Sequence, residues 1–127
     1  MKLNIIAGLT AAIAFAAPEV SRSAGTTDPH VLEIVTFRIA DSAEEAEFLA
    51  AAQGTEKILR DRGALVRRYL VRDKSGLWTD VIEWTSMDSA LSAAEAVMET
   101  KEFAAFGSMI EPGSVDMRHS PILWRME

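Results

Sequence analysis

What most constrains this chain is the way its apolar residues switch between alternate-residue spacing and helical spacing along residues 30–126. "HVLEIVTFRIA" (30–40) is rich in β-branched residues, follows Pro29 and precedes Asp41, and reads as a strand. Residues 41–63 then take helical spacing, with Phe48, Ala51, Ala52, Thr55 and Leu59 on one side. Ser42 with Glu45 three residues on spells a capping box; Gly54 weakens the middle of the helix and Gly63 ends it. "ALVRRYLVRD" (64–73) and "LWTDVIEWT" (77–85) read as two strands of a hairpin, because "DKSG" (73–76) suits a type I turn closed by a left-handed Gly. Ser86 caps a second helix whose apolar stripe is Ala90, Leu91, Ala94, Val97 and Met98. "TKEFAAFGSMI" (100–110) adds a turn or two of helix with Phe103 and Phe106 inward, broken by Pro112-Gly113. "SVDMRHSPILWRM" (114–126) is the last strand, and Pro121 marks an edge or a bulge.

The order β-α-β-β-α-β is the split-βαβ, ferredoxin-like plan, an α+β fold with strand order 4-1-3-2 and both helices on one face. The opposite face carries Leu32, Ile34, Leu77 and Val81, too apolar to be left in water. A sheet-to-sheet homodimer covers it.

Residues 1–24 differ from the rest. Lys2 precedes an apolar run from Leu3 to Ala17, interrupted by Asn4, Gly8 and Thr10. That run is shorter than the roughly 20 residues a membrane span needs, and it has the length of a signal-peptide core. Ala14-Phe15-Ala16 places small residues where signal peptidase reads them, so cleavage is expected after Ala16 or near Ala24. Residues 17–29 read as a flexible leader, and residues 25–127 as the folded domain. The mature protein is then secreted or periplasmic, with no stable membrane span after cleavage. The alternative is an uncleaved anchor or an exposed N-terminal helix.

A chain of 127 residues with a net charge of −6 is one domain and a poor match for nucleic acid. The absence of cysteine excludes disulfide frameworks, thiolate metal sites and cysteine nucleophiles. No Gly-rich phosphate loop and no HExxH stands in the sequence.

The segments "EIVTFRI", "DVIEWTSMDSA" and "KEFAAFGSMI" resemble the dimeric α/β-barrel superfamily, in particular its antibiotic-biosynthesis-monooxygenase-like domains. The resemblance spans about residues 30–120. It implies a cavity between sheet and helices, faced by the Trp that ends the third strand, here Trp84. It also implies cofactor-independent oxygenase chemistry for some members and no known activity for others. Haem-degrading members use an Asn on the first strand and a helical His, and this chain has neither at those places. No cofactor and no metal are therefore expected.

If Trp84 faces the helices, alternation puts Ile82, Asp80 and Trp78 there too, with Glu33, Val35 and Phe37 on the first strand and Val115, Met117 and His119 on the last. With strand 1 taken as parallel to strand 3 and antiparallel to strand 4, Glu33, Asp80 and His119 converge beneath the helices. His119 has the pKa range for proton transfer, and Glu33 and Asp80 orient it or act as bases. The alternative is structural: ion pairs of these acids with Arg68, Arg72 or Arg118, and a His held by Glu33. The hairpin places Arg68 near Ile82, where it can bind an anionic group. Trp78, Trp84 and Phe37 either wall a planar ligand or pack the core. Trp124 is expected at a dimer edge and His30 in solvent. The functional expectation is an exported protein that binds a small hydrophobic or planar molecule, either a cofactor-independent monooxygenase-like enzyme or a non-catalytic ligand-binding or dimerisation domain.

Overall fold

A computed structural model describes residues 28–127, so the expected signal segment and its cleavage sites lie outside the described residues. The elements are β1 (Val31–Phe37), α1 (Glu45–Gly54), α2 (Glu56–Arg60), β2 (Leu65–Arg72), β3 (Trp78–Trp84), α3 (Met87–Val97), α4 (Lys101–Gly107) and β4 (Asp116–Pro121). The four strands form one sheet in the order β2-β3-β1-β4. The helices lie on one face, as the periodicity predicts.

Local chemistry explains most boundaries. In the hairpin, Asp73 Oδ1 accepts from Ser75 N (2.8 Å), Ser75 Oγ (2.7 Å) and Leu77 N (3.1 Å). Gly76 closes that turn at φ +89°, a conformation that costs glycine nothing. Gly63 ends α2 in the same way, at φ +78°. Ser86 caps α3 by accepting from Ser89 N (3.1 Å), and Thr100 caps α4 by accepting from Phe103 N (3.2 Å).

Two expectations for the first helical segment need correction. Ser42 is not its cap: α1 begins at Glu45 behind Glu44, with no side-chain capping bond. The segment is also two helices, broken at Thr55, just after Gly54. The Thr55 hydroxyl donates to the Ala52 carbonyl (2.6 Å), which satisfies the end of α1.

The larger correction concerns strand direction. β1 is antiparallel to both β3 and β4. A helical crossover returns β2 parallel to β1, and the hairpin then reverses the chain, so β3 must oppose β1. Glu33 therefore faces Ile82 and His119 in register, whereas Asp80 faces Val35. β4 also stops at Pro121 rather than running to residue 126.

The core lies between sheet and helices in two clusters. One contains Val31, Leu59, Ile82, Trp84, Ala90 and Val97. The other is aromatic: Phe37, Phe48, Trp78 and Phe106, with Phe48–Trp78 and Phe48–Phe106 ring centroids 4.9 Å apart. Fully burying each such side chain contributes about 1.5–3 kcal/mol. On the far face, Leu32, Ile34 and Val81 are half-buried, while Tyr69 and Val71 are 57% and 53% exposed.

Candidate functional site

Between the two clusters lies a cavity of about 140 Å³. Val35, Ile82, Ala94, Val97 and Phe103 form its apolar wall. Met98, Val115 and Met117 line it and are themselves exposed, so they mark its mouth, between the end of α3 and β4. Three polar residues of the sheet also reach it: Glu33, Asp80 and Arg68.

Glu33 is buried at the centre of β1. Its Oε1 accepts from Trp84 Nε1 at 3.1 Å. The same oxygen stands 3.2 Å from His119 Nε2, which donates to it when the ring carries its proton there. Glu33 Oε2 has no protein partner among the described residues, yet no fully buried side-chain oxygen there lacks one. Oε2 is therefore not sealed in protein, and Glu33 is one of the residues that line the cavity. A carboxylate fixed through one oxygen and open at the other can accept a hydrogen bond or a proton from a bound molecule.

Asp80 is arranged differently. Arg68 Nε donates to Oδ1 (2.9 Å) and Nη2 to Oδ2 (2.7 Å), a two-pronged pair between β2 and β3. Arg68 Nη1 donates to Thr55 Oγ1 (2.8 Å), and the guanidinium lies over the Phe106 ring at 5.6 Å. Both Asp80 oxygens are occupied, so the pair closes one end of the cavity and holds α1 to the sheet.

No protein-family model matches the chain, and no curated protein matches it in sequence. Solved structures do match. SnoaB, a cofactor-independent oxygenase from Streptomyces nogalater, superposes with a TM-score of 0.57 at 16% identity, over 78% of this chain and 96% of that one. A candidate antibiotic biosynthesis monooxygenase from Bordetella bronchiseptica gives 0.64 at 14% identity, over 76% of this chain and 100% of that one. A dimeric ferredoxin-like protein of unknown function from Thermobifida fusca gives 0.59 at 11%, covering 75% and 92%.

The chain has the ferredoxin-like fold of these proteins.

Within this ferredoxin-like frame, the expected convergence of Glu33, Asp80 and His119 resolves into two separate pairs. Glu33 joins His119 and Trp84, and Asp80 joins Arg68. Among the described residues, no group of three His, Asp or Glu side chains stands together as a metal site. Trp84, Phe37 and Arg68 line the cavity. Trp78 does not: it stacks on Phe37 and packs edge-on against Phe48 inside the aromatic cluster. Antiparallel pairing sends Trp78 to the Phe37 end of β1 and Trp84 to the Glu33 end.

Two residues escaped the sequence reading. Thr55 appeared there as one position of an apolar stripe, but its hydroxyl receives Arg68. Glu83 lies on the open sheet face, yet it is only 3% exposed. Arg125 donates to it through Nη2, His30 Nδ1 lies 2.6 Å away and Arg67 Nε 3.4 Å away. The bond from Arg125 is the main cause holding its carboxyl below the usual carboxylate range, with His30 and Arg67 adding to it and burial opposing it. His30 is thus half-buried and paired, not free in solvent. Glu83 and Arg67 are register partners, so part of that cluster follows from strand pairing.

Proposed function

We propose that this chain is an exported, dimeric α/β-barrel protein that binds a small planar organic molecule in the cavity beneath α3 and α4 and oxygenates it without a cofactor. The observation that carries this reading is the free Oε2 of Glu33 at the wall of an apolar cavity. The structural likeness to a cofactor-independent oxygenase supports the reaction type by analogy of fold.

In such a reaction the substrate is its own reductant. A methylene carbon becomes a carbonyl; one atom of O₂ enters it, and the other leaves as water with the two hydrogens. Forming the electron-rich carbanion requires a base, and Glu33 takes that role with Trp84 and His119 fixing its other oxygen. A cavity of about 140 Å³ is comparable to one that holds a benzene ring. A larger planar substrate enters if Met98, Val115 and Met117 turn aside, and methionine side chains do so readily. The second copy covers the open sheet face, as the apolar Leu32, Ile34 and Val81 require. The apolar run after Lys2 supports export.

A second reading, ligand binding without turnover, is favoured by the commitment of Asp80 to Arg68, which leaves one acid to do all the proton transfer.

The deciding experiment supplies planar enolisable ketones and phenols of one to three rings to the purified protein. Tryptophan fluorescence reports binding and an oxygen electrode reports turnover. Oxygen uptake that falls about a hundredfold in Glu33→Gln supports the enzyme. Binding without uptake supports the second reading. No binding at all removes both.

A further inference from the structure

The apolar lining of the cavity beneath α3 and α4 continues onto the protein surface. Three residues at its mouth, Met98, Val115 and Met117, are 63%, 50% and 47% exposed. Met98 caps the end of α3, Met117 lies on β4 and Val115 directly precedes that strand. A single exposed apolar side chain is ordinary, but three from two separate elements around one opening are not. The enclosed space of about 140 Å³ is filled by about one ring. A ligand held wholly inside therefore leaves these three side chains in water, whereas a ligand with an apolar extension covers them. Strand register supplies the spacing. Met117 faces Val35, which lies two residues along β1 from Glu33 on the same side of the sheet. Two residues of strand span about 7 Å, the scale of a benzene ring with one substituent.

Resting on the ligand-binding reading above, we propose that the ligand is a single hydroxylated ring carrying an alkyl tail. The ring fills the cavity with its hydroxyl donating to the free oxygen of Glu33, and the tail leaves the opposite edge of the ring to lie on Met98, Val115 and Met117. Charge selects the neutral head. Arg68 is the one cation among the lining residues, and Asp80 and Thr55 already accept from its guanidinium. A carboxylate head would meet Glu33 and Asp80 with no unpaired cation to offset them, so a fatty acid fits the tail subsite but not the cavity. A hydroxyl gives Glu33 the donor it lacks and adds no charge. Two of the three mouth residues are methionines, whose unbranched, polarizable side chains adapt to a flexible chain.

Isothermal titration calorimetry of the purified protein with 4-alkylphenols, from methyl to octyl and each below its solubility limit, tests this. Affinity is expected to rise about two- to fourfold per methylene over the first few carbons, because the tail is covered on one side, and then to level off. The ratio of hexyl to methyl affinity is expected to fall about tenfold or more when Met98→Ser and Val115→Ser are combined. Both side chains are exposed, so the fold is retained, and circular dichroism melts check it. Leu91→Ser is the control: Leu91 is 51% exposed on the same helix but does not line the cavity, and the ratio is expected to hold. 4-Alkylbenzoates are expected to bind at least about tenfold more weakly than phenols of equal tail. Affinity that is flat along the phenol series, or a ratio lowered as much by Leu91→Ser as by the double change, would overturn the tail subsite and leave the ring site standing. Benzoates that bind as well as the phenols would overturn the neutral head. No binding of any ring would overturn the ligand-binding reading itself, and the tail with it.

Discussion

The indole of Trp84 donates to Glu33 across the β1–β3 pair, although the register partner of Trp84 is Val31. The contact is diagonal: Glu33 faces Ile82, and Trp84 lies two residues on along the same sheet face. An acid therefore sits beneath the helices with a donor supplied by the residue that also fills the strand-to-helix corner. Trp84 serves packing and electrostatics together, and a substitution can separate the two.

Trp84→Phe keeps most of the aromatic volume and removes the N–H. The Glu33 carboxylate then keeps His119 as its one protein partner. Losing a buried hydrogen bond to a charged group costs about 1.5–3 kcal/mol. The midpoint of urea unfolding is expected to fall accordingly, with the m-value unchanged. A loss below about 0.5 kcal/mol would mean that water or His119 replaces the indole.

The Arg68–Asp80 pair calls for a double-mutant cycle. Asp80→Leu alone leaves a largely buried guanidinium with Thr55 as its remaining side-chain partner, and Arg68→Met alone strands a buried carboxylate. Each single change is expected to cost about 3–5 kcal/mol. The double variant, with an apolar residue at both positions, is expected to recover much of that loss. Additive costs in equilibrium unfolding would show that the two side chains are not coupled, against the 2.7 and 2.9 Å contacts.

These two assemblies show how much of the site is legible in the sequence. The alternation of Trp78, Asp80, Ile82 and Trp84 put them on one face, and the DKSG turn brought Arg68 to that face as well. Both follow from local rules, the period of a strand and the geometry of a tight turn. The grouping of Glu33 with Asp80 needed the relative direction of β1 and β3, set by the path of the whole chain, and the wrong direction exchanged the neighbours of Trp78 and Trp84. Glu83 was less accessible still. Its partners come from the residue before β1, from β2 and from an irregular C-terminal segment, and only Arg67 is placed by strand register. No periodicity announces such a meeting.

Glu83 predicts a pH dependence. Its folded pKa lies below the ordinary carboxylate value near 4.5, chiefly through Arg125. A depressed carboxylate contributes stability that is fully present above the unfolded pKa and is lost as pH falls through the folded one. The stability difference between wild type and Glu83→Gln is therefore expected to shrink as pH falls below about 4.5. Thermal melts at fixed protein concentration across that range measure it, since association also shifts a melting point. A difference that grows as pH falls below about 4.5 would reverse the sign and refute the assignment.

The cavity can be tested by filling it. Ala94 is half-buried on α3 and lines the space. Ala94→Leu keeps a strong helix former and adds three carbon atoms. Burying them gains about 0.8 kcal/mol each if the space of about 140 Å³ receives them, and overpacking costs about 1–3 kcal/mol if it does not. The net change in unfolding free energy is expected to stay within about 1 kcal/mol. Affinity for a one-ring planar probe, followed by tryptophan fluorescence, is expected to fall at least about tenfold, since ligand and leucine compete for the same volume. Stability held with affinity untouched would place the ligand elsewhere. A loss of more than about 3 kcal/mol would show that the space beneath α3 is too tight to admit any ring.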